Sequence, residues 1–308
     1  MGRYAEDAGY GEVWVAEDYF FLGGIASAGL VLQATNNVKV GIGVLSSVVR
    51  HPAVTAMEIA TLANAHPGRL LPAIGHGVPA WTKQMGLYPG SPLGTFREVI
   101  TSIRRLLNGE VLSEGEGHYY FDGVGLTHPV AGVPLLGGVV GPKSLELSGE
   151  VADGTVMSML AGAKYVEFAK SCALMGARRA GRSEDHLLPT FSIFSVDEDG
   201  ARAKEAVRDV VAFYLAAVGP TALTGCYDAN DQLADMVGRG GAEIIAKEMP
   251  DEWLDAFAVA GDPSECAAKI DALRAAGATS VVLVPTPSTE GTRLVGEAAQ
   301  SVLPLLGR

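Results

Sequence analysis

The chain has 308 residues and sets 35 Asp and Glu against 23 Lys and Arg, a formal net charge of −12. That length supports a sizeable core without covalent staples, and the negative mean field works against a broad nucleic-acid or anionic-membrane surface, leaving room only for a local basic pocket. Three isolated cysteines, Cys172, Cys226 and Cys266, show neither C-x-x-C spacing nor clustered histidines, which predicts no disulfide framework, no metal site and a reducing, cytoplasmic setting.

The first residues, MGRYAEDAGYGEVW, lack a basic stretch followed by a long apolar one, and no apolar run reaches the ~18 residues that span a bilayer. A soluble, unprocessed protein is expected. RYAEDAG reads as a helix before a short strand, EVWVA (12–16), which stops at the acids Glu17 and Asp18 beside Tyr19, Phe20 and Phe21. The strand KVGIGVL (39–45) and a helix over 52–65 follow, then LLPAIG (70–75) and a helix opened by the capping box Thr95-Phe96-Arg97-Glu98.

A Gly-rich stretch, EGEGHYYFDGVGL (114–126), predicts a hairpin insertion near 109–128. Strands VPLLGGVV (133–140) and GTVMSM (154–159), a helix over 164–181 and the strand PTFSIFSV (189–196) come next. Residues 219–261 read as a helical insertion of the kind that shapes an active-site mouth. Asp262-Pro263-Ser264-Glu265 then caps a helix that ends at Gly277, before the last strand, SVVLVP (280–285).

These strands lack in-out alternation, as strands covered on both faces do. Strand-helix alternation from end to end predicts a single domain over 1–308, built as an open doubly wound sheet or a closed (β/α)₈ barrel. Seven strands are countable and a barrel needs eight.

Three strand ends carry candidate chemistry. GIGVLSSVVRHP (41–52) sets Ser46, Ser47, Arg50 and His51 where hydroxyls and a cation would hold a phosphate or a flat polar ring; its bland reading is a loop before a helix-starting proline. AIGHGVPAW (73–81) gives Gly75 and Gly77 around His76, a proton donor or a satisfied loop histidine. GGVVGPKSLELSGEVADG (137–154) follows a strand with Gly141-Pro142-Lys143-Ser144 and a helix, an anion site or else a capped helix with a solvated lysine. G-x-S-x-G, Walker A and H-E-x-x-H motifs are absent.

In this order the motifs AEDAGYGEVWVAEDY, VKVGIGVLSSVVRHPAVTAMEIATL, GRLLPAIGHG, TFREVITSIRRLLNGE, VPLLGGVVGPKSLELSGEVADG and GDPSECAAKIDALRAAGATSVVLVP resemble the luciferase-like monooxygenase superfamily. They are most similar to its coenzyme F-420-dependent branch, that of methylenetetrahydromethanopterin reductase, over nearly the whole chain. The resemblance implies a (β/α)₈ TIM barrel, with the first strand absent from this sequence, and a homodimer. It implies F-420, or FMN as in other branches, at the C-terminal mouth of the barrel.

Carried onto matching positions, it puts the family's non-prolyl cis peptide and bulge at Gly43-Val44 and a ring contact at Ser46. The cofactor phosphate falls at Val140, Gly141, Lys143 and Ser144, and the turn after the fourth strand at Gly75 and Gly77. The family's Asp-His pair reads Glu17-Asp18 here, so Asp18, Glu17 and His76 are the candidate catalytic groups, with Tyr19 and Trp81 towards the substrate. Val78-Pro79 stands where many members carry an acid.

The activity implied is hydride transfer between the deazaflavin and an electrophilic carbon of a small molecule, an imine, carbonyl or activated alkene. The competing expectations are an FMN-dependent monooxygenase of the same superfamily and a cofactor-binding paralogue without turnover.

Overall fold

The computed structural model describes residues 1–307. In chain order its first elements are α1 (Gly2–Asp7), β1 (Glu12–Val15), α2 (Gly24–Ala34), β2 (Lys39–Ser46), α3 (Pro52–Ala65), β3 (Leu70–Gly75), α4 (Pro79–Gln84) and α5 (Pro92–Leu107). The hairpin strands β4 (Leu112–Glu114) and β5 (Phe121–Val124) precede β6 (Leu136–Gly138), α6 (Pro142–Val151), β7 (Gly154–Val156), α7 (Ala163–Arg179), β8 (Pro189–Val196) and α8 (Gly200–Val218). Four short helices follow, α9 (Ala222–Gly225), α10 (Asn230–Gly240), α11 (Ala242–Glu248) and α12 (Asp251–Phe257). The last elements are β9 (Ala258–Gly261), α13 (Pro263–Ala276), β10 (Ser280–Pro285) and α14 (Gly291–Glu297).

The strands run parallel in the order β1-β2-β3-β6-β7, and a second parallel group runs β10-β8-β9. Single parallel bridges, Gly154 to Leu187 and Met157 to Thr190, carry β7 onto β8. The β10 and β1 edges meet through a side chain, Ser280 Oγ donating to Glu12 Oε2 at 2.9 Å. This is the parallel barrel expected: among the described residues seven of the eight parallel strands, β1, β2, β3, β6, β7, β8 and β10, follow one another round it, and β9 lies against the end of β8.

Two layers hold it. Leu71, Ala73, Leu136 and Val156 are buried inside the strand ring with Trp14, Val44, Leu187 and Phe191 packed on them. Trp14 sets its ring edge-on to Phe191 at 5.5 Å. The larger core lies between strands and helices, where Ile42, Ile59, Phe96, Ile100, Ile103 and Tyr165 are fully enclosed. At ~25 cal/mol per Å² of apolar area removed from water, this shell is the main stabilising term.

The strand readings hold, β6 and β7 each being shorter than expected at three residues. The capping box of α13 is present on both sides: Glu265 N–H donates to Asp262 Oδ1, and Asp262 N–H to Glu265 Oε2, each at 2.9 Å. Two details differ. The helix assigned to start at Thr95 begins at Pro92, because Ser91 caps it through Gly94 N–H and a proline at the first position favours that start. The insertion over 219–261 is not wholly helical, since Ala258–Gly261 forms β9 against Ile193–Val196 of β8.

Candidate active site

Parallel strands end together, so the loops after β1, β2, β3 and β6 converge at one face, the mouth. β2 arrives there through a bulge: Ile42 pairs with Pro72 and Leu45 with Ile74, leaving an extra residue at Gly43-Val44, whose peptide bond is cis. Val44 points between β3 and β6. A Cβ on Gly75 would lie 2.7 Å from Val44 Cγ2, and one on Gly138 would collide with Val44, so both neighbours must be glycine for the bulge to fit.

The end of β1 splits into two unlike carboxylates. Glu17 is 5% exposed. Arg50 Nη1 and Nη2 donate to its Oε1 and Oε2 at 2.6 and 2.8 Å, Gly24 N–H to Oε2 at 2.8 Å and Tyr19 OH to Oε1 at 3.2 Å. Burial works against its ionisation, but Arg50 and the Gly24 N–H outweigh it, so the carboxyl is held below the usual range. Asp18, one residue on, is half-buried and has no ion-pair partner among the described residues, and burial pushes its pKa up. Tyr214 of α8 faces it, its own pKa raised by burial and then by the Asp18 charge.

Tyr19 sets its ring edge against Trp81 with centroids 6.3 Å apart, and its phenol is pushed up to about 12 by burial and by Glu17. Phe20, Phe21 and Leu22 continue the loop with 70, 79 and 73% exposure, an apolar strap beside the mouth.

Ser46 is buried, its Oγ reaching His76 O at 3.5 Å. Gly77 packs on it with φ +74°, and a Cβ there would lie 2.6 Å from Ser46 Oγ, so the turn after β3 accepts only glycine for two independent reasons. His76 Nε2 and Ser144 Oγ are 3.2 Å apart, the ring lies tilted against Phe96 with centroids 5.3 Å apart, and Nδ1 is buried without a partner. Burial lowers the His76 pKa and keeps the ring neutral.

At the start of α6, Gly141 caps the helix with no side-chain bond, and Pro142 at the first position has no N–H to offer. The Lys143 and Ser144 N–H groups are thus free, with the Lys143 side chain exposed beside them and open space around Gly141. Tyr165 OH fixes the preceding carbonyl, donating to Val140 O at 2.7 Å.

The structure therefore gathers Glu17, Asp18, Tyr19, Gly43, Val44, Ser46, Gly75, His76, Gly77, Trp81, Val140, Gly141, Lys143 and Ser144 at one end of the barrel. It does not leave Arg50 or His51 for a phosphate. Arg50 is spent on Glu17 and, at 3.4 Å, on Glu58; His51 caps α3 through Ala53 N–H and holds Tyr120 O at 3.1 Å. Sequence reasoning missed Tyr165 and Tyr214, because both reach the mouth from helices far along the chain. The insertion reaches the mouth too: Lys164 N–H donates to Tyr227 OH at 3.1 Å, and the Lys164 ammonium sits over that ring, 5.3 Å from its centroid. Among the described residues no group of three or more His, Cys, Asp or Glu could hold a metal ion, and no helix is long and apolar enough to cross a membrane.

A bulged strand under a mouth, an uncapped helix start and an isolated carboxylate define a cofactor-using α/β barrel. Residues 1–280 match the luciferase-like monooxygenase family, and the chain belongs to it. A 5,10-methylenetetrahydromethanopterin reductase of Methanolobus tindarius is 31% identical over 286 residues, 91% of this chain and 87% of that one. An F-420-dependent glucose-6-phosphate dehydrogenase of Kineococcus radiotolerans is 28% identical over 98% of this chain and 90% of its own. The solved coenzyme F-420-dependent tetrahydromethanopterin reductase of Methanopyrus kandleri superposes with a TM-score of 0.85 at 26% identity, covering 99% of this chain and 93% of that one.

Proposed function

We propose that the protein is a coenzyme F-420-dependent oxidoreductase that exchanges a hydride with an electrophilic carbon, an imine, carbonyl or activated alkene, of a small organic substrate. The observation that carries this reading is the start of α6, where two free N–H groups, Lys143 and open space at Gly141 follow β6, two strands along from the β2 bulge. That geometry fits a phosphate held at a helix start with a flat ring laid over the bulge. The orphaned Nδ1 of His76, buried between them, is a hydrogen-bonding group in want of a ligand. Relatives of two different activities share F-420 in their names, which favours it over FMN.

When bound, the deazaflavin supplies the hydride. The chain's own residues do the rest. Lys143, Ser144 and the α6 N–H groups hold the phosphate, Ser46 and Val44 support the ring, and Tyr19, Trp81 and the apolar strap exclude water from the face where the substrate lies. Asp18, desolvated and unpaired, is the group whose raised pKa suits it to hold or deliver a proton. His76 stays neutral and orients Ser144.

We place the protein in the cytoplasm, its three cysteines being unpaired, and assign it no nucleic-acid partner because of its charge. We also propose a homodimer, joined across α2 and α3. α2 carries no charged residue, and Leu30, Val54 and Met57 are exposed at 74, 42 and 54%, a face where two copies of a chain of net charge −12 can approach.

Titrating the protein with F-420 and with FMN tests the assignment. F-420 is expected to bind, and its visible absorbance to fall when a substrate able to donate hydride is added. Tight binding of FMN with oxygen consumption, and none of F-420, would overturn it in favour of a monooxygenase. Binding of F-420 with no spectral change across a panel of electrophiles and reductants would leave a non-catalytic paralogue.

A further inference from the structure

We propose that Arg50 and Glu17 form a positioning clamp for the active site, leaving Asp18 as the one carboxylate of the β1 end that meets the substrate. The inference rests on the reading of the mouth as the active site. Its basis is the way the donors around Glu17 are drawn from three separate segments, the loop after β1, the start of α2 and the turn after β2.

Both Glu17 oxygens are occupied. Oε1 takes Arg50 Nη1 and Tyr19 OH, and Oε2 takes Arg50 Nη2 and the Gly24 N–H at the start of α2. The side chain is 2% exposed, so no water or substrate reaches it. A carboxylate so enclosed and held in its charged form is a poor proton shuttle and a strong anchor. Arg50 in turn leans on Glu58 of α3, its Nε 3.4 Å from Oε2. The charged and titratable groups facing Glu17 are therefore Tyr19 from its own segment, Arg50 from the turn after β2, and Glu58 from α3.

The geometry ties three parts of the mouth together. The bidentate fork locks the turn after β2 to the end of β1. The Gly24 bond locks that end to α2, and the close approach is possible because a Cβ on Gly24 would lie 3.1 Å from Glu17 Cβ. The Tyr19 bond then fixes a ring that rests on Trp81 and turns its oxygen to the backbone of Ser46. Asp18 lies between two anchored neighbours, which aims it without pairing it. Lysine in place of Arg50 would keep the charge and lose the fork.

The test uses Arg50→Met, Glu17→Gln, the double variant and Arg50→Lys, each read by F-420 affinity, turnover, pH profile and Trp81 emission, the last taken as the difference from Trp81→Phe. In Arg50→Met the Glu17 charge is left without its cation. Turnover is expected to fall about a hundredfold at neutral pH while F-420 affinity changes less than about threefold. The loss should shrink as the pH is lowered and Glu17 takes a proton.

The double variant removes the stranded charge, and an amide can still accept from Gly24 and Tyr19. It should regain at least about tenfold in turnover over Arg50→Met, with the pH profile of the wild type and native Trp81 emission. If Arg50→Met does not fold, Arg50→Lys carries the test, with turnover down about tenfold and the melting temperature kept. Unchanged turnover in Arg50→Met or Arg50→Lys, or a double variant no better than Arg50→Met, overturns the clamp. Failure of the wild-type protein to bind F-420 would instead overturn the functional reading, and the Trp81 emission of the same variants would still decide the clamp.

Discussion

The two ends of the barrel treat buried polar groups in opposite ways. At the base, where β6, β7 and β8 begin, the polar groups are mutually satisfied. Asp153 accepts from Leu135 N–H at 2.8 Å, from Arg104 at 2.9 Å and from Arg182 at 2.6 Å. His186 Nε2 bonds Thr155 Oγ1 at 2.7 Å, which bonds Ser148 Oγ at 2.7 Å, and that hydroxyl donates to Gly154 O at 3.3 Å. A cleft of about 230 Å³ opens beside Arg104, Asn108 and Asp153, but its two charges are already spent on each other. At the mouth, by contrast, Asp18 has no cation, His76 Nδ1 has no partner and α6 starts uncapped. Satisfied networks stabilise a fold, and unsatisfied ones are kept where a ligand will complete them. The base should thus answer to measurements of stability and the mouth to measurements of binding and turnover.

The largest effect expected belongs to the base. Burial first, and the nearby Arg182 second, lower the His186 pKa to about 4 from an ordinary 6.5, with Asp153 opposing them. The folded state thus keeps the ring neutral, and protonation favours unfolding. This contribution is complete above about pH 6.5, is lost as the pH falls towards 4 and is constant below that, an amount on the order of 3 kcal/mol. His186→Gln isolates it from the carboxylates. Across that pH window, chemical denaturation should show the wild type losing about 3 kcal/mol more than the variant, and equal losses would show that the base is not the closed network described.

How much of this contrast can be read from the sequence follows from distance along the chain. The strands, the α13 capping box and the Gly141-Lys143 start of α6 are local patterns, and each was legible. The bulge at Gly43-Val44 and the ring contact at Ser46 came through family resemblance, since the residues alone look like an ordinary apolar strand. β9 escaped because AVAG is four small residues running straight on from α12 without a turn signal. The partner of Glu17 lies 33 residues away and that of His186 lies 31 away, and no spacing rule links them. Arg50 was visible as a cation for a phosphate or a flat ring, or else as part of a plain loop, because the sequence does not show what already holds it.

The next effect belongs to the mouth and reverses the signature. Asp18→Asn keeps size and shape but removes the one unpaired carboxylate of the β1 end. Turnover is expected to fall about a hundredfold, close to 3 kcal/mol of transition-state stabilisation, with F-420 affinity and melting temperature nearly unchanged. In the wild type, the acid limb of turnover should lie above the ordinary carboxylate range, because burial raises the Asp18 pKa, and that limb should vanish in the variant. A variant that turned over normally but melted early would place Asp18 with the residues of the base.

The smallest effect sharpens the comparison most, because it concerns a lysine that the structure leaves in solvent. Lys143 makes no ion pair among the described residues, so the fold gains nothing measurable from its charge. Its value lies in standing next to the free N–H groups of α6, where the helix dipole already favours an anion. Lys143→Ala should therefore weaken F-420 about fivefold to tenfold, roughly 1 kcal/mol, and the difference between wild type and variant should shrink as salt screens the phosphate. Stability should not move. Deleting the phosphate from the ligand is the complementary experiment, since the shortened deazaflavin should bind both proteins equally if Lys143 acts on that group. A loss of affinity that persisted with the shortened ligand would mean that Lys143 supports the loop rather than the phosphate.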